Sequence, residues 1–297
     1  MKGTTMGNST VPEIIVAVDG SASSYQAVAW AAVDAALHHC PLRLLTSVAV
    51  PDFGPDRTLN EADIDWLRRD GERILTEATR VAHQAAPGEE LDLATEVIFA
   101  SIISTLSLHS AQARMLVVGS RGIGALHRGL LGSVSTAVTH HAHCPVAVIH
   151  GNSAIDPVSA SKPVLVGVDG SSNSVPAIEL AFEEASRRKV GLTALHTWSD
   201  ASGIDLPHSG WEAARESEQE LLAENMGAYR DRYPDVSVLR ILKLDRPVRA
   251  LLEESANAQL LVVGSHGRGG FASMVLGSTS NALLHTVDCP MIVVRKG

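Results

Sequence analysis

The chain repeats itself at long range. "EIIVAVDGSASS", starting at Glu13, returns as "PVLVGVDGSSNS", starting at Pro163, and "VVGSRGIGALHRGLLGS" (117–133) returns as "VVGSHGRGGFASMVLGS" (262–278). The offset is 150 between Asp19 and Asp169 but 145 between Gly119 and Gly264, so the first copy holds five extra residues between its start and its glycine-rich segment. A period this long means a duplicated domain, not a solenoid. A chain of 297 residues suits two units of about 150. The units are expected at 1–150 and 164–297, with "GNSAIDPVSASKP" (151–163) as a linker, because it is rich in Gly, Ser, Ala and Pro and has no apolar period.

Within each unit, short β-branched runs alternate with amphipathic stretches, the pattern of parallel strands joined by helical crossovers. In the first unit strands are expected near 14–18, 42–48, 93–98, 115–118 and 146–149, with helices near 24–38, 62–85, 102–111 and 133–140. In the second they are expected near 164–168, 192–197, 236–242, 260–263 and 291–294, with helices near 174–189, 212–233, 248–256 and 278–285. Runs such as "LLVV" are apolar on successive residues, as in strands covered on both faces. The fold class is therefore α/β, with two tandem open five-stranded parallel sheets. The apolar runs at the unit ends also suggest a homodimer.

Composition narrows the function. A formal charge of −9 with 24 Lys and Arg argues against a sequence-independent grip on nucleic acid, which relies on many cationic contacts to phosphate. Cys40, Cys144 and Cys289 are too few and too scattered for a disulfide framework or a zinc knuckle. Each of the last two precedes a proline and a short apolar run, the place of a buried small hydrophobe. The beginning "MKGTTMGNST" has no apolar core, and no stretch approaches the ~20 apolar residues that span a bilayer, so a soluble cytoplasmic protein with no membrane partner is expected.

The glycine ladder is the candidate site. Its rungs are Gly119, Gly122, Gly132 and Ser133, then Gly264, Gly267, Gly277 and Ser278. Each ladder starts after the fourth expected strand and ends at the first turn of the next helix. Ligands bind at that carboxyl edge of an open parallel sheet. Glycines there let backbone N–H groups approach an oxygen-rich ligand, and a helix start favours phosphate. The residues between and just after the rungs belong to the same candidate set: Ser120, Arg121, Ile123, Gly124 and Val134, then Ser265, His266, Arg268 and Thr279. Arg121, His127 and Arg128 in the first ladder, and His266 and Arg268 in the second, can offset phosphate charge, or can simply be solvated surface. A Walker A loop is excluded because neither ladder contains lysine, and "GRGGFA" (267–272) matches the dinucleotide fingerprint only after the wrong strand.

Asp19 and Asp169 close the first strand of each unit, where a carboxylate can accept bonds from a ribose or base edge or can cap the next helix. Asp200 follows the second strand of the second unit; the first unit has Val50 there, with Asp52 two residues on. Gly167 leaves space where Ala17 adds a methyl. A nucleotide-binding regulator and an enzyme of the same fold, a slow ATPase or a nucleotidyl transferase, both remain open on these residues, although the ladders contain no Asp, Glu or Lys for phosphoryl chemistry. "THHAHCP" around His140, His143 and Cys144 is a weaker thought for metal, since histidines suit helix ends in any case. His38 and His39 read as such a helix end.

These residues resemble the universal stress protein family, in its tandem two-domain actinobacterial form. The family's ATP pattern, Gly-x2-Gly-x9-Gly-(Ser/Thr), is met by both ladders, and "VAVDGS" and "VGVDGS" resemble its first strand with the nucleotide-contacting aspartate. The resemblance implies a Rossmann-like, adenine nucleotide alpha hydrolase-like fold and ATP, with or without Mg2+, in each unit. It further implies adenine held near the second strand by the backbone of Ser47 or Thr197, and units paired through their last strands. It implies a stress-response regulator associated with hypoxia and growth arrest, acting on an unknown protein partner, with at most weak ATP hydrolysis. The family's class that does not bind ATP lacks the ladder.

Overall fold

The computed structural model describes residues 11–48, 60–122, 131–151, 157–198, 208–268 and 276–295. The first half runs β1 (Ile14–Ala17), α1 (Ala22–His38), β2 (Leu42–Ser47), α2 (Glu61–Ala85), β3 (Leu93–Ile98), α3 (Ile102–His109), β4 (Met115–Gly119), α4 (Ser133–His141) and β5 (Val146–Ile149). After a short helix, α5 (Pro157–Ala160), the second half repeats the order: β6 (Val164–Val168), α6 (Val175–Arg188), β7 (Leu192–Trp198), α7 (His208–Gly227), β8 (Val238–Leu244), α8 (Pro247–Ser255), β9 (Leu260–Gly264), α9 (Ser278–Thr286) and β10 (Met291–Val294).

Each half is a five-stranded parallel sheet, and the two halves join into one sheet of order β3-β2-β1-β4-β5-β10-β9-β6-β7-β8. The join is antiparallel, with Met291 opposite Val148 and Val293 opposite Val146. The pairing of units through their last strands is thus made inside one chain. The apolar runs that suggested a homodimer are covered here by each other and by helices.

Strand residues alternate between two cores because successive Cβ atoms point to opposite faces. Ile14 and Val16 belong to the core on the face that carries α1, α2, α6 and α7, together with Val28, Ile74, Phe182 and Leu222. Ile15 faces the other way, with Leu106 of α3, Val138 of α4, Ala250 of α8 and Leu283 of α9. The three cysteines are free and buried, and burial pushes the thiols of Cys144 and Cys289 up to about 12.

Two expectations need correction. Helix α7 ends at Gly227, six residues short of the expected end, because Tyr229 and Tyr233 turn in to stack on Phe182 at 5.2 and 5.7 Å between ring centroids. Within the expected linker, besides α5, Lys162 Nζ donates to Ala256 O, and the Gln259 amide donates to the Ala160 and Lys162 carbonyls. Finally, His38 is no solvated helix end. His39 takes the left-handed capping position at φ 51, while His38 turns inward between the halves, 2.9 Å from Glu184.

Candidate functional site

Strands β1 and β6 deliver Asp19 and Asp169 to the carboxyl edge of the sheet. A tight turn follows each, with Gly20 at φ +85 and Gly170 at φ +76, a region open to glycine. The Ser21 amide donates to Asp19 Oδ1 at 3.0 Å, and the Ser171 amide and hydroxyl donate to Asp169 Oδ1 at 2.9 and 2.8 Å. In the first half the helix cap is Ser21, whose side chain accepts from the Ser24 amide, so Asp19 shapes the turn and does not cap α1. Asp169 Oδ2 is buried and has no hydrogen-bond partner among the described residues. Burying a carboxylate oxygen unpaired is costly, so a donor is expected to meet it.

The ladder glycines serve different physical ends. A Cβ at Gly119 would lie 2.7 Å from the backbone of Ser23, and one at Gly264 would lie 3.0 Å from the Asn173 carbonyl. That first rung lets the start of α1 or α6 close down on the sheet. At the second rung a Cβ would meet the aspartate: 2.5 Å from Asp19 Oδ2 at Gly122, and 2.9 Å from Asp169 Oδ2 at Gly267. The last rung folds back on the loop's beginning. The Gly132 amide donates to Ser120 O at 2.8 Å and the Gly277 amide to Ser265 O at 2.7 Å.

Helices α4 and α9 then start from Gly132 and Gly277, and neither has a side-chain cap. Their first-turn amides therefore have no side-chain acceptor from the cap, and they open towards the cleft with the positive end of the helix dipole. Two serines that sequence reasoning missed pin this arrangement: Ser135 Oγ donates to Gly119 O at 2.6 Å, and Ser280 Oγ donates to Gly264 O at 2.7 Å. Their signal was present, since "GSVS" and "GSTS" recur at the ladder's own offset.

Two clefts result. The first, 290 Å³, is lined by Ala17, Asp19, Ser47, Gly119, Arg121, Gly122, Gly132, Ser133 and Val134, with Ser24, Ile102 and Ser135 besides. The second, 530 Å³, brings together Gly167, Asp169, Thr197, Gly264, His266, Gly267, Arg268, Gly277, Ser278 and Thr279. Ser120 and Ser265 are buried behind the loops and do not line the clefts. Ile123, Gly124 and Asp200 lie outside the described residues, as do Val50, Asp52, His127 and Arg128.

The second cleft also gains residues that the sequence did not single out, among them Trp198, Leu251 and Glu218. Burial opposes charge on Glu218, but bonds to Arg268 and His196 hold its carboxyl below the usual range. The suggestion of metal at "THHAHCP" finds no support: among the described residues the group of possible ligands that converges is Asp34, His38 and Glu184. There the Arg188 guanidinium already serves as the cation, bonded to both carboxylates.

A doubled α/β unit, its strand ends carrying uncapped helix starts over a glycine ladder, defines a tandem protein of the Rossmann-like class. The universal stress protein family profile matches residues 11–150 and 160–295, and the chain belongs to that family. It is 44% identical over 285 residues to Universal stress protein Rv2005c of Mycobacterium tuberculosis, covering 95% of this chain and 97% of the relative. With Universal stress protein Rv2623 of the same organism it shares 40% identity over 293 residues, 98% of each chain. The fold matches the crystal structure of a universal stress protein from Archaeoglobus fulgidus with a TM-score of 0.71 at 21% identity, covering 97% of this chain and 100% of that one. Among the described residues no helix is long and apolar enough to cross a membrane.

Proposed function

We propose that the protein is an ATP-binding regulator in which each half holds one nucleotide, with or without Mg2+, and a partner protein of the stress response reads the occupancy. The observation that carries this reading is the pair of glycine-started, uncapped helices α4 and α9 at the clefts. Backbone amides and a helix dipole there suit the triphosphate. The unpartnered Oδ2 of Asp169 suits a ribose hydroxyl, and Asp19 takes that role in the first cleft. The adenine then lies towards Ser47 of β2 and Thr197 of β7, where the apolar wall includes Ile102 and Leu251.

Mass spectrometry of the ligand released from purified, heat-denatured protein tests the reading, together with titration by added ATP. Recovery of adenine nucleotide approaching two equivalents is expected. Recovery of none, with no binding of added ATP, would remove the reading. An ATP-hydrolysing enzyme is the second reading, favoured by Glu218, a carboxylate in the second cleft that the ladders themselves do not supply. Steady-state turnover above about 1 s⁻¹, the low end of ordinary enzymes, would select it.

A further inference from the structure

The two clefts are copies, yet one place in them has been rebuilt. His196 in β7 corresponds to Thr46 in β2, at the offset of 150 that relates the first strands. Gly20 packs on Ile74 as Gly170 packs on Leu221, and three residues before those contacts stand Gly71 in α2 and Glu218 in α7. In the first half Gly71 lets α2 lie directly on the sheet, since a Cβ there would be 2.8 Å from Val97 and 3.3 Å from the Thr46 methyl. In the second half the same space holds a histidine and a glutamate in contact.

His196 is 1% exposed and fixed at both nitrogens. Nδ1 lies 2.7 Å from Val168 O, and Nε2 lies 2.6 Å from Glu218 Oε2. A carbonyl can only accept, so Nδ1 carries a proton and the ring orientation is set. Glu218 is thereby anchored from behind. Its front meets the second ladder: Arg268 Nη2 donates to Oε2 at 3.2 Å, and Nη1 lies 3.5 Å from Oε1. The first ladder has Ile123 in place of Arg268, and its cation Arg121 stands at the position of His266.

We propose that Glu218 is a specificity-determining residue that makes the two sites unequal. By holding Arg268, the arginine of the second ladder, it weights the second cleft away from triphosphates and towards adenine nucleotides with fewer phosphates. This rests on the nucleotide-binding reading above. A polyphosphate that recruits Arg268 must take it from a carboxylate that buried His196 prevents from following. It must also settle beside that carboxylate's charge. A monophosphate, reaching less far along the loop, meets neither obstacle.

Calorimetric titration with ATP and with AMP tests the proposal in two full-length chains, Gly122→Glu to leave the second cleft and Gly267→Glu to leave the first. The ATP-to-AMP affinity ratio of the second cleft is expected to be at least about fivefold below that of the first, the scale of a partly exposed ion pair. Glu218→Gln in the Gly122→Glu chain should raise that ratio by a similar factor. The glutamine amide can donate to Nε2 and preserve the packing. Adding Arg268→Gln should cancel the gain, a non-additivity that a purely structural role for Glu218 would not produce. Equal ratios in the two clefts, or a ratio lowered by Glu218→Gln, would overturn the proposal while leaving nucleotide binding intact. No nucleotide bound by the unsubstituted chain would overturn both.

Discussion

Nε2 of His38 in α1 lies 2.9 Å from Oε1 of Glu184 in α6, and Arg188 of α6 returns the contact to Asp34 of α1. His38 corresponds to Arg188 and Asp34 to Glu184 at the repeat's offset of 150, so one contact is made twice across an approximate two-fold axis. All four side chains are buried, and Arg188 also stacks over Trp30, 5.2 Å from the ring centroid. Removing Arg188 takes away the cation bonded to both Asp34 and Glu184 and leaves the two buried carboxylates to His38. Arg188→Met is therefore expected to cost about 3–5 kcal/mol in a urea titration. A loss below about 1 kcal/mol would show that the cluster does little to hold the halves.

The same cluster sets a pH dependence. Burial opposes charge on His38, but Glu183 and Glu184 outweigh it and push its pKa up from 6.5 to about 9. Nδ1 lies 2.8 Å from Arg114 Nη2 and 3.4 Å from Glu183 Oε1; a guanidinium only donates, so Glu183 is the acceptor for a proton on Nδ1. A folded pKa above the unfolded one means stability complete below about 6.5 and lost as pH rises through about 9. Asp34 acts in the same direction, because burial and then the charge of Glu184 raise its carboxyl. Glu183, bonded to His38 and Arg114, is held down from 4.5 to about 2, so its share is complete above 4.5 and is lost as pH falls through about 2. Urea midpoints should decline between pH 6.5 and 9, and His38→Gln should flatten that limb; an unsloped limb in the unsubstituted protein contradicts the assignment.

The first rung of the ladder is a packing position. Gly119→Ala must push a methyl to 2.7 Å from the Ser23 backbone, against 3.0 Å from Asn173 for Gly264→Ala. Overpacking of this kind costs about 1–3 kcal/mol. Denaturation without nucleotide should show Gly119→Ala as the more damaging change. Equal and negligible effects would mean that the start of α1 yields freely.

The second rung answers to the ligand. Gly122→Glu and Gly267→Glu each drive a carboxylate side chain against Asp19 or Asp169 in the ladder, displacing the proposed ribose contact and repelling a bound polyphosphate. Each is expected to remove about one equivalent of bound nucleotide, and the double variant should retain none. Unchanged stoichiometry in the double variant moves the site elsewhere.

Much of this was legible because duplication prints its own control. All ten strands fall where alternating apolar runs put them, and the ladder's place after β4 and β9 follows from strand count alone. The bonds from Ser135 and Ser280 to the first rungs were hidden only because a hydroxyl in the first turn of a helix is also an ordinary helix residue. Glu218 and His196 were illegible for a deeper reason. They are 22 residues apart on different elements, and only the packing of α7 on β7 brings them to 2.6 Å. Asp34 and Glu184 likewise look like two solvated helix charges until the antiparallel join of β5 and β10 buries both. Pattern within one unit carries no information about what that unit will be folded against.

A protein that pairs with an identical copy must place the same residue on both sides of the axis, and every change is made twice. Here β5 and β10 belong to one polypeptide, so each side of the join has its own codon. Histidine can face one carboxylate while arginine faces the other, and glycine can persist at 71 while glutamate stands at the matching place, 218. The join is also unimolecular, so its strength does not depend on concentration, and the two clefts reach the cell in a fixed one-to-one ratio.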